Sequence, residues 1–188
     1  MSNWKWAILG IALAVPVHAH ADSLEERVAK SQAAIQTFAS TLQGHLQTAM
    51  QDGGPTKAIE VCQQRAPAIA AEISGETGWT VGRTSLKLRN PENAPDEWER
   101  AVLEDFDAQR AAGVPAAELS RYEVVEDDDQ TVFRFMRAIP TGELCLTCHG
   151  SELSGDIKHA LERLYPEDQA TGYSTGDVRG AFSIIQRM

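Results

Sequence analysis

The sequence predicts an α+β domain. Helical periodicity fills the first part of the chain, a meander of short strand-like runs follows, and helical insertions interrupt that meander. An all-helical bundle would not carry those runs of β-branched and aromatic residues.

Residues 1–21 precede the domain. Lys5 gives a positive start, Ala7–Val15 is an apolar run, and Ala19-His20-Ala21 is a small-residue cleavage site ahead of Asp22. That is the pattern of an export signal. The run is too short to span a bilayer, and no later segment is long or apolar enough to do so. Pro16 and the cleavage site fit removal better than a retained anchor, and no cysteine follows to carry a lipid. The expected mature chain is Asp22–Met188, a single exported periplasmic domain.

Asp22–Met50 predicts a long helix, because Leu24, Val28, Ile35, Phe38, Leu42 and Ala49 recur at three- and four-residue steps. Ser23 and Glu26 are spaced for a capping box at its start. Asp52-Gly53-Gly54-Pro55 breaks it, and a second helix follows from about Thr56 to Ser74. Ile59, Cys62, Ala66, Ile69 and Ile73 share one face, so Cys62 is expected to point into the core or at whatever the core holds.

Trp79–Ser85 has strand composition, and Arg89–Pro95 is a loop punctuated by two prolines. Asp96 caps a third helix, with Trp98, Val102, Leu103 and Phe106 as its buried side, ending near Gly113. Arg121–Val125 and Thr131–Ile139 read as paired strands joined by the acidic turn 126–129. Arg134 and Arg137 interrupt the apolar residues of the second, which predicts one wet face. Ile157–Leu164 is a short helix, and glycines at 172, 176 and 180 mark turns before a last strand, Ala181–Ile185.

The chain is acidic, with 17 Lys and Arg against 27 Asp and Glu. Nucleic acid and anionic lipid are therefore poor partners. A redox partner with a basic surface suits the charge, although the acidity serves solubility equally well. A homodimer through the long first helix is an arrangement the pattern permits.

Cys145-Leu146-Thr147-Cys148-His149 is the most specific motif. Two thiols three positions apart can add across the two vinyl groups of a haem, and the adjoining imidazole then faces the iron. Covalent haem c, one per chain, is the expected cofactor. A zinc site would still need a fourth ligand at normal spacing. A thioredoxin-like dithiol expects its pair at the start of a helix after a strand, whereas Thr141–Leu144 reads as a loop-like approach.

A six-coordinate iron needs a second axial donor. Cys62, His45, Met50, Met136 and His159 are the candidates within the expected mature chain. His159 reads as a surface residue of its helix, and His45, beside the apolar stripe, is the stronger histidine. Met136 is most simply a core side chain and Met50 a helix-end contact. Cys62 has no disulfide partner once Cys145 and Cys148 form thioethers, so in an oxidising compartment it is either a metal ligand, an intermolecular partner or a small buried hydrophobe. Arg83 and Arg89 are candidates for the haem propionates, the alternative being ion pairs with Glu92 or Glu99.

Several motifs in order resemble a known family. They are Ala58–Cys62, Gly82–Ser85, Arg89–Asn93 with Trp98-Glu99, Cys145–Gly150, Tyr165–Asp168, Gly172-Tyr173 and Gly176–Ala181. The series, which covers nearly the whole expected mature chain, resembles a family of exported single-haem c-type proteins known as a domain of unknown function. The resemblance implies a PAS-like antiparallel sheet with flanking helices, His149 as proximal ligand and Cys62 as distal ligand. It also implies a relation to the input modules of sensor proteins.

A thiolate ligand favours Fe(III), which predicts a low-potential redox protein for electron transfer. The alternative is a haem-based redox or small-gas (NO or CO) sensor. No kinase or methyl-accepting segment is recognisable in the sequence, so sensing would act through a separate partner. An enzyme is the least supported class, since Cys62 on the iron closes the distal position and no distal His-Arg couple is visible.

Overall fold

The computed structural model describes residues 22–127 and 130–188. The expected export signal, residues 1–21, and Asp128-Asp129 of the expected acidic turn lie outside them. The α+β expectation holds. In chain order the elements are α1 (Leu24–Thr77), β1 (Thr80–Thr84), α2 (Glu97–Ala111), β2 (Ser120–Asp127), β3 (Gln130–Pro140), α3 (Glu143–His149), α4 (Gly155–Leu164) and β4 (Val178–Arg187). Short 3-10 turns at Pro91–Asn93 and Ala116–Glu118 flank α2. Among the described residues, no helix is long and apolar enough to cross a membrane.

The two predicted N-terminal helices form α1, broken at Gly54, whose φ of 70° no helix residue adopts. Pro55 follows the break and lacks the N–H that an unbroken helix would use. Arg65 Nε lies 3.3 Å from His45 Nε2, 20 residues back in the chain. A straight helix would separate those residues by about 30 Å, so the limbs fold back on each other. Ser23 and Glu26 form the predicted capping box, and Gly78 in the left-handed conformation closes the far end.

The sheet is antiparallel throughout, in the order β1-β4-β3-β2. Alternation along β3 and β4 divides the core. Phe133, Phe135, Phe182 and Ile184 face α1, where they meet Ile35, Phe38, Ile69 and Ile73. Met136, Ala138 and Ala181 face α2, against Val102, Leu103 and Phe106. Each fully buried Phe, Ile or Leu among these stabilises the fold by about 1.5–3 kcal/mol.

The predicted wet face of β3 is a correction. Val132, Phe133, Phe135 and Met136 are all buried. Arg134 avoids the core by lying 4.4 Å over the Trp98 ring and pairing with Asp96, so α2 covers this face through its own first turn. Gly180 is required by β4's approach to β1, since a Cβ there would lie 2.4 Å from the Thr84 carbonyl oxygen.

Candidate functional site

Chain connectivity places the cysteine motif at the end of β3. Thr141 and Gly142 turn the chain, and α3 carries Cys145 and Cys148 one helical turn apart on one face. The pair therefore does lie on a helix that follows a strand, contrary to the loop-like approach expected. What separates it from a thioredoxin-like dithiol is the antiparallel sheet and the histidine that ends the helix. Gly150 must follow, because a Cβ there would lie 2.7 Å from the Leu146 carbonyl oxygen.

His149 is held from several sides. The loop after α4 returns across it, with Tyr173 N donating to His149 O at 3.0 Å and Gly172 N to Gly150 O at 3.1 Å. Nδ1 lies 2.7 Å from the Ala170 carbonyl oxygen, an acceptor only, so Nδ1 carries the proton and Nε2 keeps a lone pair. Burial pushes the imidazole down to about 2, the Arg179 and Arg89 guanidiniums act in the same direction, and the Ala170 carbonyl partly opposes them. The ring is a neutral donor.

Arg89 is buried and ties this arrangement together. Its Nε and Nη2 each lie 3.0 Å from the two oxygens of Asp168, a bidentate pair. Nη2 also reaches the Cys148 carbonyl at 2.6 Å, and Nη1 lies 3.4 Å from His149 Nε2. Its carboxylate partner is thus Asp168 rather than Glu92 or Glu99. Asp168 Oδ1 in turn accepts from Ala170 N at 2.9 Å, which fixes the carbonyl that His149 uses. Arg83 lies 5.4 Å over the Phe38 ring.

Cys62 stands on the second limb of α1 and is half-buried. It lies within electrostatic reach of Cys148 and Tyr165, whose thiol and phenol are pushed up chiefly by burial, with Cys62 acting in the same direction and Arg89 opposing it. α4 supplies that wall of the site. Gln63 Nε2 donates to Leu164 O at 2.8 Å and Arg163 pairs with Glu60 at 3.1 Å, clamping α4 to α1. Cys148 packs on Ile59, Ile157, Leu161 and Tyr165.

The other candidates for the second axial position lie elsewhere. His45 Nε2 accepts from Arg65, Met136 is sealed between the sheet and α2, and His159 is 82% exposed beside Glu162. Met50 closes the first limb of α1 near the Gly54 break. Asp168, Ala170, Tyr165, Tyr173 and Arg179 were not singled out from the sequence as site residues. Most sat in the recurring motifs, but only the fold reveals their partners.

A protein-family model described as Tll0287-like: Tll0287 matches residues 16–187. The chain belongs to the Tll0287-like family. Among solved structures, the crystal structure of the cyanobacterial heme-protein Tll0287 superposes with a TM-score of 0.66 at 25% identity, covering 88% of this chain and 98% of that one. No curated protein matches. The resemblance read from the motifs therefore holds at the level of the family.

The donor set of this Tll0287-like chain can be compared with what a c-type haem requires. Cys62, Cys145 and Cys148 are free thiols. Among the described residues, no three His, Cys, Asp or Glu side chains gather to chelate a bare ion. A porphyrin supplies four nitrogens itself and asks the protein only for axial donors. Three guanidiniums, Arg83, Arg89 and Arg179, act on His149, while among the described residues Asp168 is the one carboxylate paired with them. Net positive charge is left over beside His149, which suits a group that carries propionates. The residues fit the group.

Proposed function

We propose that this chain is a periplasmic c-type haem protein that transfers electrons at low potential. The observation that carries the reading is the neutral His149. Its Nδ1–H is fixed on Ala170, which leaves the Nε2 lone pair as the ring's donor atom, next to two thiols on one helix face. Haem binding by the related cyanobacterial protein supports the same reading. A bound haem would supply a one-electron iron centre.

The chain's residues divide the work. Cys145 and Cys148 attach the group covalently, His149 provides the proximal donor, and Cys62 provides the distal thiolate. Arg83, which has no carboxylate partner among the described residues, would pair with a propionate, whereas Arg89 is taken up by Asp168 and braces His149 instead. The thiolate stabilises Fe(III) and lowers the potential. The acidic surface suits a redox partner with a basic face.

A second reading, a redox or small-gas (NO or CO) sensor acting through a partner, is favoured by the half-exposed position of Cys62. Thiolate binds Fe(II) less well than Fe(III), so reduction would loosen it.

The test is expression with a c-type haem attachment system. Haem should remain on the denatured wild-type polypeptide and be lost from it when Cys145 and Cys148 are both changed to Ala. Optical and EPR spectra of Cys62→Ser, oxidised and reduced, test the distal assignment. Unchanged ferric spectra in that variant would remove Cys62 from the iron. Reduced wild type that keeps its coordination and binds no CO would remove the sensor.

A further inference from the structure

Arg179 comes from β4, next to Gly180, where the strand runs close against β1. Its Nε lies 3.1 Å from His149 Nδ1 and 3.4 Å from Nε2. Nδ1 donates to Ala170 and Nε2 is the atom assigned to the iron, so in the loaded protein the Arg179 guanidinium would lie against the ring face rather than on a ring nitrogen. The guanidinium is not free to swing away. Nη1 donates to Ser85 Oγ at 3.0 Å, and the group lies 5.4 Å over the Tyr173 ring, which itself meets the imidazole edge-on at 6.2 Å. Arg89 has Asp168 to neutralise it, whereas among the described residues Arg179 has no carboxylate within ion-pair distance.

We propose that Arg179 is a positioning residue that holds an uncompensated positive charge against the axial imidazole and thereby raises the reduction potential of the haem. This rests on the reading of His149 as an iron ligand. The physical argument is electrostatic. A fixed cation beside the ligand disfavours the more positive Fe(III) state relative to Fe(II), and a half-buried setting screens it less than water would. The effect opposes that of the Cys62 thiolate. The two sides of the haem therefore pull the potential in opposite directions, and Arg179 sets how far the thiolate wins. Ser85 is the anchor that keeps the charge in place.

The experiment is potentiometric titration of haem-loaded wild type, Arg179→Gln, Arg179→Lys and Ser85→Ala, with ferric EPR recorded on each. Arg179→Gln should keep the wild-type low-spin signal and shift the Fe(III)/Fe(II) equilibrium about tenfold toward Fe(III), a fall of 59 mV for a one-electron couple. Arg179→Lys, which keeps the charge, should recover most of that shift. Ser85→Ala, a small change, should lower the potential in the same direction by about threefold in the equilibrium. An unchanged or raised potential in Arg179→Gln, with the EPR signal retained, overturns the proposal. If Arg179→Gln fails to load haem, an unchanged potential in Ser85→Ala overturns it instead. Failure of the underlying reading has a different signature: His149→Ala would leave the ferric spectrum unaltered, and the proposal would fall with it.

Discussion

The two proposed axial residues sit in opposite kinds of surroundings. His149 is enclosed by polar groups that fix its tautomer, its ring plane and its charge: the Ala170 carbonyl, Arg89 braced by Asp168, Arg179 braced by Ser85, and the edge of Tyr173. Cys62 is half-buried on a helix limb, within electrostatic reach of Cys148 and Tyr165. The proximal side is built from a return loop that exists to hold one ring. The distal side is built from a helix whose main task is to pack Ile69 and Ile73 on the sheet. On the proposed assignment, such an arrangement would keep the His149 bond fixed and leave the Cys62 bond to respond to oxidation state.

Breaking the proximal brace should give the largest effect. Arg89→Ala leaves Asp168 buried without its partner, and loss of one member of a buried pair costs about 3–5 kcal/mol. It also frees the Cys148 carbonyl and slackens the loop that presents Ala170. For a chain of this size the thermal midpoint should fall by roughly 10 °C. Cys62→Ser should do much less, about 1 kcal/mol or below, because the thiol is half-exposed and serine is close in size. Thermal unfolding of both variants side by side checks the contrast. Equal losses would mean that the distal side is as firmly built as the proximal one.

That asymmetry was only half visible in the sequence. Elements with strong periodicity or caps were legible: Ser23 with Glu26, the Asp96 cap, the Gly54-Pro55 break and the β2–β3 pair all fell close to where local chemistry put them. Cys145, Cys148, His149 and Cys62 stood out because their side chains carry chemistry whatever surrounds them. Asp168 and Arg179 did not, since a carboxylate or guanidinium becomes part of a site only through a partner distant in the chain. Arg89 and Asp168 meet across 79 residues, and Arg179 and Ser85 across 94. The wet face predicted for β3 failed for a related reason. Arg134 looks solvent-facing in a strand pattern, and only the position of Trp98 and Asp96 on α2 shows that it is covered.

The smallest expected effect lies on the far side of Tyr173, in a cleft of about 430 Å³ lined by Lys87, Asp107, Arg110 and Asp177. Arg110 pairs with Asp177 here, but among the described residues Asp107 has no ion-pair partner. Partial burial pushes the Asp107 carboxyl up, and the nearby Asp177 adds to this, with Arg110 and Lys87 offsetting part of it. Folded Asp107 thus keeps its proton to a higher pH than the unfolded chain, whose carboxyl titrates in the ordinary range. Within that window the folded state binds more protons, so stability falls as pH rises through it, and above it the ionised carboxylate is a standing cost. Asp107→Asn should therefore stabilise the protein slightly at pH 7 and not at pH 3. The gain should be below about 1 kcal/mol, because the group is largely exposed and solvent screens it. Urea denaturation at the two pH values reads the difference. A gain of the same size at both would mean that lost repulsion is not its source, and that this cleft is as well balanced as the cluster around His149.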